Sequence, residues 1–359
     1  MTRTWADISL AAIAANFRAL SADGSEIMTV VKADGYGHGM VAVARACVAA
    51  GAQHFGVATL DEGLALRQAG ISQEIYALSP LLPDEAERAI RANVVPFVSS
   101  TNFFVAFAEA AQNAPLPARA VLTVDTGMGR EGMLLPEAIA LPKLPNVELI
   151  GLSTHLASAD EDDPEPTIAQ LEAFDEALSI LDPDGKLWIS WANSPGMLKH
   201  RERKGIHRTG AALYGIEPYP GAFDGSTLVP VLEWKARVTL VREFPAGATI
   251  GYGRTATLNR SSRIATVAVG YGDGLHRGLS NTGEVLLAGK RCPIVGRVSM
   301  DQIQVDVTEL PEVIQGTAAT LIGKDGDEVI TAADMAERAG TTCHAPTTML
   351  TRRVKRQYF

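Results

Sequence analysis

Short apolar runs alternate with helical patterns along the first two thirds of the chain. The run 27–31 predicts a buried strand, and 39–50 predicts a helix that ends at Gly51. Further strands are predicted at 55–58, 75–78, 94–98, 120–124, 149–153, 187–190 and 211–214, with helices such as 60–69, 103–111 and 167–181 between most of them. Strands that are apolar on both faces are typical of a parallel sheet covered by helices. About eight such units predict a (β/α)8 barrel, and the lack of a glycine-rich dinucleotide loop after the first strand disfavours an open doubly wound sheet.

The pattern changes near residue 229. Strands are predicted at 233–241, 263–269, 283–287, 292–298 and 304–307, separated by turn residues rather than by helices. The sequence therefore predicts an α/β chain with two domains. We expect an N-terminal TIM-type (β/α)8 barrel over residues 1–228 and a mainly β domain over residues 229–359, with the boundary in the Pro/Gly-rich stretch 218–230.

Composition narrows the class of protein. The 359 residues are 47% hydrophobic and 20% charged, with a formal net charge of -9, which fits a soluble globular protein and disfavours nucleic acid as a partner. The cysteines Cys47, Cys292 and Cys343 have no metal-ligand spacing, so we expect no metal site and no disulfide framework. No signal peptide or membrane span is recognisable, and we expect a cytoplasmic protein.

Candidate chemistry begins at the end of the first predicted barrel strand. Lys32 and Tyr36 lie within Val-Val-Lys-Ala-Asp-Gly-Tyr-Gly-His-Gly. Active sites of such barrels form at the carboxyl ends of the strands. Burial lowers the pKa of a lysine, and its neutral amine can form a Schiff base with a carbonyl. A lone lysine here would more simply be a surface residue, but the glycine-rich loop and Tyr36 favour the functional interpretation.

Three further polar blocks lie at the ends of predicted strands, and a fourth precedes the last predicted strand. They are Asp-Thr-Gly-Met-Gly-Arg at 125–130, Ser-Thr-His at 153–155, Ala-Asn-Ser at 192–194 and Arg-Thr-Gly-Ala at 208–211. An arginine suits a carboxylate or a phenolic oxygen, and a short polar pair at a helix start can bind phosphate. Each block also has a structural explanation, such as a loop-capping Arg130, a helix N-cap at Asn193 or Ser194, or a surface Arg208.

In combination these segments resemble the alanine racemases over almost the whole chain. The resemblance implies that Lys32 holds pyridoxal 5'-phosphate as a Schiff base and that Tyr36 contacts its phosphate. Arg130 would bond to the phenolic oxygen and help to hold the substrate carboxylate, and Arg208 would face the pyridine nitrogen. The other implied cofactor contacts fall on Asn193, Ser194, Gly210, Ala211 and Tyr214, with His155 in a polar relay to Arg208.

The second domain contributes three further family-like blocks. In Gly-Tyr-Gly at 251–253, the resemblance implies that Tyr252 is the second base, delivered from the partner subunit. Tyr271 would shape the substrate entrance, Met300 would offer its backbone amide to the substrate carboxylate, and Asp301 would order that site. Hairpin turns are the structural explanation of all three blocks. The implied assembly is a homodimer with active sites at the interface.

Two positions depart from the family pattern. Many members carry a carbamylated lysine two residues before the Asp of the 125–130 block, where this chain has Thr123. Since that lysine positions the arginine, Arg130 must be ordered differently here, and a bound anion such as chloride is one possibility. Near the C-terminus, some members place a tyrosine over the phosphate where this chain has Arg352. That tyrosine is not universal, so this departure bears on tuning more than on activity.

The resemblance implies an isomerase that interconverts L-alanine and D-alanine with Lys32 and Tyr252 as the two bases and supplies D-alanine for peptidoglycan. Three alternatives remain. A non-catalytic cofactor-binding barrel protein is disfavoured by the β-rich domain, and a fold-related decarboxylase by the lack of its cysteine block around Cys292 and Cys343. A racemase of broader specificity, acting on serine or basic amino acids, is excluded least well. A catabolic role also stays open.

Overall fold

A ring of parallel strands forms the first part of the chain in a computed structural model, which describes residues 2–114, 117–200 and 203–359. The eight strands are Glu26–Val30, His54–Val57, Glu74–Ala77, Val94–Val98, Ala118–Thr123, Val147–Ser153, Trp188–Ser190 and Ile206–Thr209. Each of the first six pairs with the one that follows it, and the eighth pairs with the first. The gap beside the seventh strand is bridged by the Arg208 N–H, which donates to the Ala192 carbonyl at 3.0 Å. The predicted fold class, a nearly closed barrel followed by a mainly β domain, is confirmed.

Helices cover the outside of the ring. They are Leu10–Leu20, Met40–Ala49, Leu60–Gln68, Ala86–Arg91, Thr101–Ala110, Leu135–Ile139, Glu165–Leu181 and Ser194–Lys199. Side-chain caps begin several of them, as where the Ser100 hydroxyl accepts the Phe103 N–H. Apolar faces then pack inward, and the same helix buries Phe103, Phe104 and Phe107. Among the described residues, no helix has the length and apolar character needed to cross a membrane.

The second domain is built on a nine-stranded, mainly antiparallel sheet. Its strands are Thr4–Ile8, Leu232–Phe244, Ser262–Val267, Glu284–Leu287, Lys290–Pro293, Ile303–Asp306, Ala318–Asp325, Glu328–Ile330 and Lys355–Tyr358. A two-stranded ribbon, Thr249–Ile250 with Ala256–Thr257, and the helices Ala332–Ala339 and Ala345–Thr348 complete it. In Leu232–Phe244, buried and partly exposed residues alternate over the first eight positions, as expected for a strand with one face on the core.

Some elements differ from the pattern-based expectation. The prediction of a strand at 211–214 was wrong: Ala211–Tyr214 is a 3-10 helix, and the eighth barrel strand is Ile206–Thr209. Gly215 has a φ of 63° and closes the short helix, a conformation that glycine adopts without strain. The strand predicted at 292–298 ends at Pro293. The boundary near residue 229 stays a prediction.

The first strand of the chain belongs to the second sheet. Thr4–Ile8 pairs antiparallel with Leu232–Phe244 and parallel with Lys355–Tyr358. The range 1–228 predicted for the barrel therefore begins with a strand that lies in the other domain. This pairing ties the two ends of the chain together beside the barrel.

The second domain also presses on the loop that follows Lys32. A Cβ added to Gly37 would lie 1.9 Å from the Thr347 carbonyl oxygen, so only glycine permits this approach. The Arg356 guanidinium donates through Nε to the Gly37 carbonyl at 3.0 Å and through its other nitrogens to carbonyls of its own segment. The Lys32 loop is thus held between the two domains.

Candidate active site

A cavity of about 260 Å³ opens at the carboxyl ends of the barrel strands. Its lining residues are Lys32, Leu78, Ser79, Phe97, Thr123, Arg130, Glu131, Ser153, Thr154, His155 and Arg208. The structure therefore brings together four of the predicted site residues, which lie far apart in sequence. A larger cavity of about 410 Å³ lies elsewhere, between the domains, with a mainly apolar lining that includes none of these four.

Lys32 begins a left-handed turn. The turn spans Lys32–Tyr36, and φ is positive at Ala33 (52°), Asp34 (53°) and Tyr36 (52°), a rare conformation for residues with a side chain. Two carboxylates stabilise it: Glu62 accepts the Ala33 N–H at 2.7 Å, and Asp34 accepts the Met40 N–H at 2.9 Å. Backbone strain of this kind concentrates at functional sites, because surrounding contacts must maintain it.

The Lys32 amine lies among cations. Burial lowers its pKa below the usual 10.5, and the positive charges of Arg130 and Arg208 lower it further, while Glu131 and Glu62 oppose them. A lower pKa raises the neutral fraction of the amine at neutral pH. Only the neutral form can attack a carbonyl, so the environment favours formation of a Schiff base at this residue.

Arg208 and His155 form a buried pair. Arg208 donates through Nη1 to the Ser190 hydroxyl at 2.6 Å, and through Nη2 to the Thr154 carbonyl at 2.8 Å and to His155 Nδ1 at 2.9 Å. Burial lowers the pKa of Arg208 to about 10, so it stays charged at neutral pH. Burial, followed by the charge of Arg208, holds the pKa of His155 well below its usual value. Because arginine only donates, Nδ1 must accept, and the neutral ring carries its proton on Nε2.

Beside the cavity, tyrosine, serine and backbone groups form a cradle. The Ser194 hydroxyl accepts the N–H groups of Gly210 at 3.1 Å and of Ala212 at 3.3 Å. The Tyr36 hydroxyl lies so close to Gly210 that a Cβ there would be 2.2 Å away. Burial raises the pKa of Tyr36 to about 12, so its hydroxyl remains a donor. Hydroxyl and backbone donors crowded at a strand end fit a phosphate group.

The other predicted cradle residues have structural contacts. Tyr214 donates to the Val30 carbonyl at 3.1 Å and stacks on Tyr36, with ring centroids 5.0 Å apart. Asn193 caps the helix Ser194–Lys199 by accepting the Gly196 N–H at 3.1 Å. Ala211 begins the 3-10 helix next to Gly210. Asn193 thus has the capping role that the sequence allowed, and the cradle as a whole fits the phosphate of the expected cofactor.

The Arg130 loop is ordered by carboxylates. Asp125 Oδ1 accepts the N–H groups of Gly127 and Met128, both at 2.9 Å, and Asp125 also accepts that of Gly129. Arg130 Nη2 donates to Glu131 Oε1 at 2.7 Å. Sequence reasoning missed Glu131, although its position directly after Arg130 was a usable signal.

Two further groups near the site were also missed. Glu62 supports the Lys32 turn, and the ring of His344 meets the ring of Tyr36 edge-on with centroids 5.7 Å apart. Burial and then the charge of Lys32 lower the pKa of His344. Neither follows a barrel strand as a recognisable motif, and only the fold places them. In the described part of the chain, no cluster of His, Cys, Asp and Glu side chains is arranged to hold a metal ion.

The predicted site residues of the second domain do not line this cavity. Tyr252 lies in an exposed 3-10 turn, Tyr252–Arg254, with 71% of its surface accessible, and Met300 and Tyr271 are also exposed. Asp301 pairs with Arg353 at 2.8 Å. Within one chain, the structure therefore separates these residues from Lys32. Arg352 is exposed as well.

The fold and the cavity define a class: a parallel-barrel protein with a buried lysine among cations at the open end of the barrel and a cradle of hydroxyl and backbone groups beside it. Comparison with known families gives the particular assignment. Residues 8–218 match the N-terminal domain of alanine racemase, and residues 231–358 match its C-terminal domain. The chain belongs to the alanine racemase family, which confirms the resemblance found in the sequence.

Curated relatives and solved structures agree along the full chain. The alanine racemase of Halothermothrix orenii is 39% identical over 99% of this chain and 96% of its own length, and that of Symbiobacterium thermophilum is 41% identical over 100% and 97%. The alanine racemase from D-cycloserine-producing Streptomyces lavendulae superimposes with a TM-score of 0.93 at 35% identity, over 100% of this chain and 97% of that one. The Bartonella henselae enzyme, solved with covalently bound pyridoxal phosphate, gives 0.92 at 30% identity over both complete chains.

Proposed function

We propose that this protein is an enzyme that interconverts L-alanine and D-alanine, with pyridoxal 5'-phosphate held on Lys32. The observation that carries the proposal is the buried Lys32 amine with its lowered pKa, set between Arg130 and Arg208 at the open end of the barrel. When bound, pyridoxal phosphate supplies an electron-accepting ring that makes the α-proton of an amino acid acidic. The protein supplies position, charge and the groups that move the proton.

Each cavity residue has a role that its hydrogen bonding supports. The cradle of Tyr36, Ser194 and Gly210 would hold the phosphate. Arg208 only donates hydrogen bonds, so it would keep a ring nitrogen that accepts from it unprotonated. A ring held in that state would withdraw electrons less strongly, which would limit side reactions. Arg130, whose Nε and Nη1 make no hydrogen bond to another described residue, would bind the substrate carboxylate.

Racemisation needs proton removal on one face and proton return on the other. We assign Lys32 to the face of the D-enantiomer and Tyr252 of the partner subunit to the face of the L-enantiomer. A tyrosine has an ordinary pKa of about 10, so it needs a neighbour that stabilises its anion. His155 offers this, because Arg208 occupies its Nδ1 and leaves the Nε2 proton free to donate. The proposal therefore includes a homodimer.

Circular dichroism of L-alanine solutions tests the function directly. The purified protein with pyridoxal phosphate should remove the L-alanine signal. Lys32→Ala should lose both activity and the absorbance of the bound cofactor. Tyr252→Phe should keep the absorbance and lose at least about a hundredfold in kcat, the usual scale for a general base. A wild-type protein that binds the cofactor and leaves alanine unchanged would refute the proposal.

The same assay decides substrate range. We expect alanine to be turned over faster than serine or lysine, and faster turnover of either would favour the broad-specificity racemase. Cytoplasmic location and supply of D-alanine for peptidoglycan belong to the proposal and rest on the bacterial alanine racemases that the chain resembles. A deletion strain that needs added D-alanine for growth would separate this biosynthetic role from a catabolic one.

A further inference from the structure

The cavity around Lys32 is unbalanced in charge. Its lining carries three cationic side chains, Lys32, Arg130 and Arg208, and His155 adds no negative charge. Among its described lining residues, Glu131 is the one carboxylate. The Glu131 side chain is only 16% exposed, whereas that of Arg130 is 50% exposed. A carboxylate shielded from water at this place acts on its neighbours more strongly than a surface one.

Glu131 is in direct contact with the arginine that the reaction needs. Its Oε1 accepts a hydrogen bond from Arg130 Nη2 at 2.7 Å. In the described part of the chain, the Thr123 hydroxyl pairs with the Ser153 hydroxyl at 2.9 Å, whereas Arg130 pairs with Glu131. A guanidinium has five N–H donors in a fixed fork, so a carboxylate on one edge leaves the others for a ligand.

We propose that Glu131 is a positioning residue that holds the Arg130 guanidinium at the cavity and offsets the positive charge around Lys32. This rests on the proposed racemase function and names what orders Arg130 in a chain with Thr123 two residues before Asp125. Arg130 then meets the substrate carboxylate already oriented.

The charge of Glu131 reaches beyond Arg130. It raises the pKa of Lys32 against the lowering by burial and by Arg130. It is also the largest charged influence on Arg208, where it again raises the pKa. Removing the charge should therefore lower the pKa of Lys32, a change that a purely structural side chain would not cause.

The test compares Glu131→Gln, Glu131→Asp and Glu87→Gln. The last is the matched control, since Glu87 makes an ion pair with Arg91 at 2.5 Å on the exposed surface. With L-alanine, Glu131→Gln should raise KM by about tenfold and change kcat less, because a charged hydrogen bond that orients Arg130 is lost. Glu131→Asp should bring KM most of the way back to the wild-type value. Glu87→Gln should have the same KM and kcat as the wild type.

A second readout does not depend on turnover. The pKa of Lys32 in the cofactor-free protein can be followed by 13C NMR of methylated lysines, with Lys32→Arg to assign the signal. It should fall in Glu131→Gln and stay unchanged in Glu87→Gln. An unchanged Lys32 pKa, or an equal KM effect in the control, overturns the proposal. If the wild type fails to racemise alanine, the function is refuted, while the NMR titration still decides whether Glu131 offsets charge.

Discussion

Burial determines the protonation of His38, which lies in the Lys32 loop. Its Nδ1 is 3.0 Å from the carbonyl oxygens of both Gly35 and Tyr36, and its ring stacks on Tyr214 with centroids 4.5 Å apart. Nδ1 must therefore carry the proton of the neutral ring. Burial, helped by the charge of Arg356, lowers the pKa of His38 to about 4, although the two carbonyls raise it. The folded loop requires a neutral imidazole.

This predicts a loss of stability in mild acid. The folded pKa lies below the ordinary 6.5, so the unfolded chain binds the proton more readily at intermediate pH. The stabilisation that depends on neutral His38 is fully present above about pH 6.5 and is lost as the pH falls towards 4. From pH 7 to pH 5, His38 should reduce the free energy of unfolding by about 2 kcal/mol.

Urea unfolding at these two pH values, at one protein concentration, measures the effect. His38→Asn is the comparison, because its amide can donate to the same carbonyls and does not titrate. The variant should start less stable, having lost the stacking, and should show a smaller decrease between the two pH values. An equal decrease in wild type and variant would assign the acid sensitivity to other groups, such as His155 or His344.

At the scale of elements, the left-handed turn Lys32–Tyr36 depends on the helix Ala345–Thr348 of the second domain. Gly37 lies between them, with its φ of 83° and no room for a Cβ beside the Thr347 carbonyl. Gly37→Ala should therefore displace the turn and move Lys32. Because the cradle and Lys32 would no longer be aligned, the dissociation constant for pyridoxal phosphate should increase by about tenfold or more.

Gly70→Ala is the matched control for this prediction. Gly70 also has a positive φ, 84°, but open space around the position of its Cβ. It should lose only about 1 kcal/mol of stability through backbone strain and bind the cofactor normally. Titration of the cofactor-free proteins with pyridoxal phosphate, followed by fluorescence, compares the two. Similar affinities in both variants would show that the contact with Thr347 does not position the site.

Elements built from apolar residues could be predicted from the sequence. Elements whose buried side chains are polar could not. The strand Val94–Val98 was located without error because it is apolar on both faces. Ile206–Thr209 was missed because His207, Arg208 and Thr209 are polar yet fully or almost fully buried inside the barrel. Hydrophobic periodicity cannot find a strand whose side chains serve a site. The strand Thr4–Ile8 was missed because its partner begins at Leu232, and local patterns carry no information about such pairing.

The candidate site was predictable as a set of motifs and not as a set of distances. Lys32, Arg130 and His155 each follow a barrel strand, Arg208 lies within the last one, and the ring brings all four to one cavity. The carboxylates that act on Lys32 lie outside the strands, Glu131 in a loop and Glu62 in the helix Leu60–Gln68. Glu131 could have been noticed beside Arg130, but its burial depends on how the loop folds over the cavity, which sequence spacing does not specify.

At the scale of the whole molecule, one chain carries two separate parts of the proposed chemistry. Lys32 lies in the cavity at the barrel end, while Tyr252 projects from the second domain and is largely exposed. A large aromatic side chain that is exposed between two glycines is stabilised little by packing in a lone subunit. The arrangement makes sense if the exposed turn enters the cavity of a second copy, as symmetric dimers allow.

Mixing two inactive variants tests this arrangement. In a mixed dimer, Lys32 of the Tyr252→Phe chain and Tyr252 of the Lys32→Ala chain form one intact site, and the other site carries both changes. Subunit exchange should therefore restore activity to about one quarter of wild type, since half of the dimers are mixed and each has one working site. Either variant mixed with itself is the control. If the mixture stays as inactive as its parts, Tyr252 does not act across the subunits, and its base role would have to be reassigned within the chain.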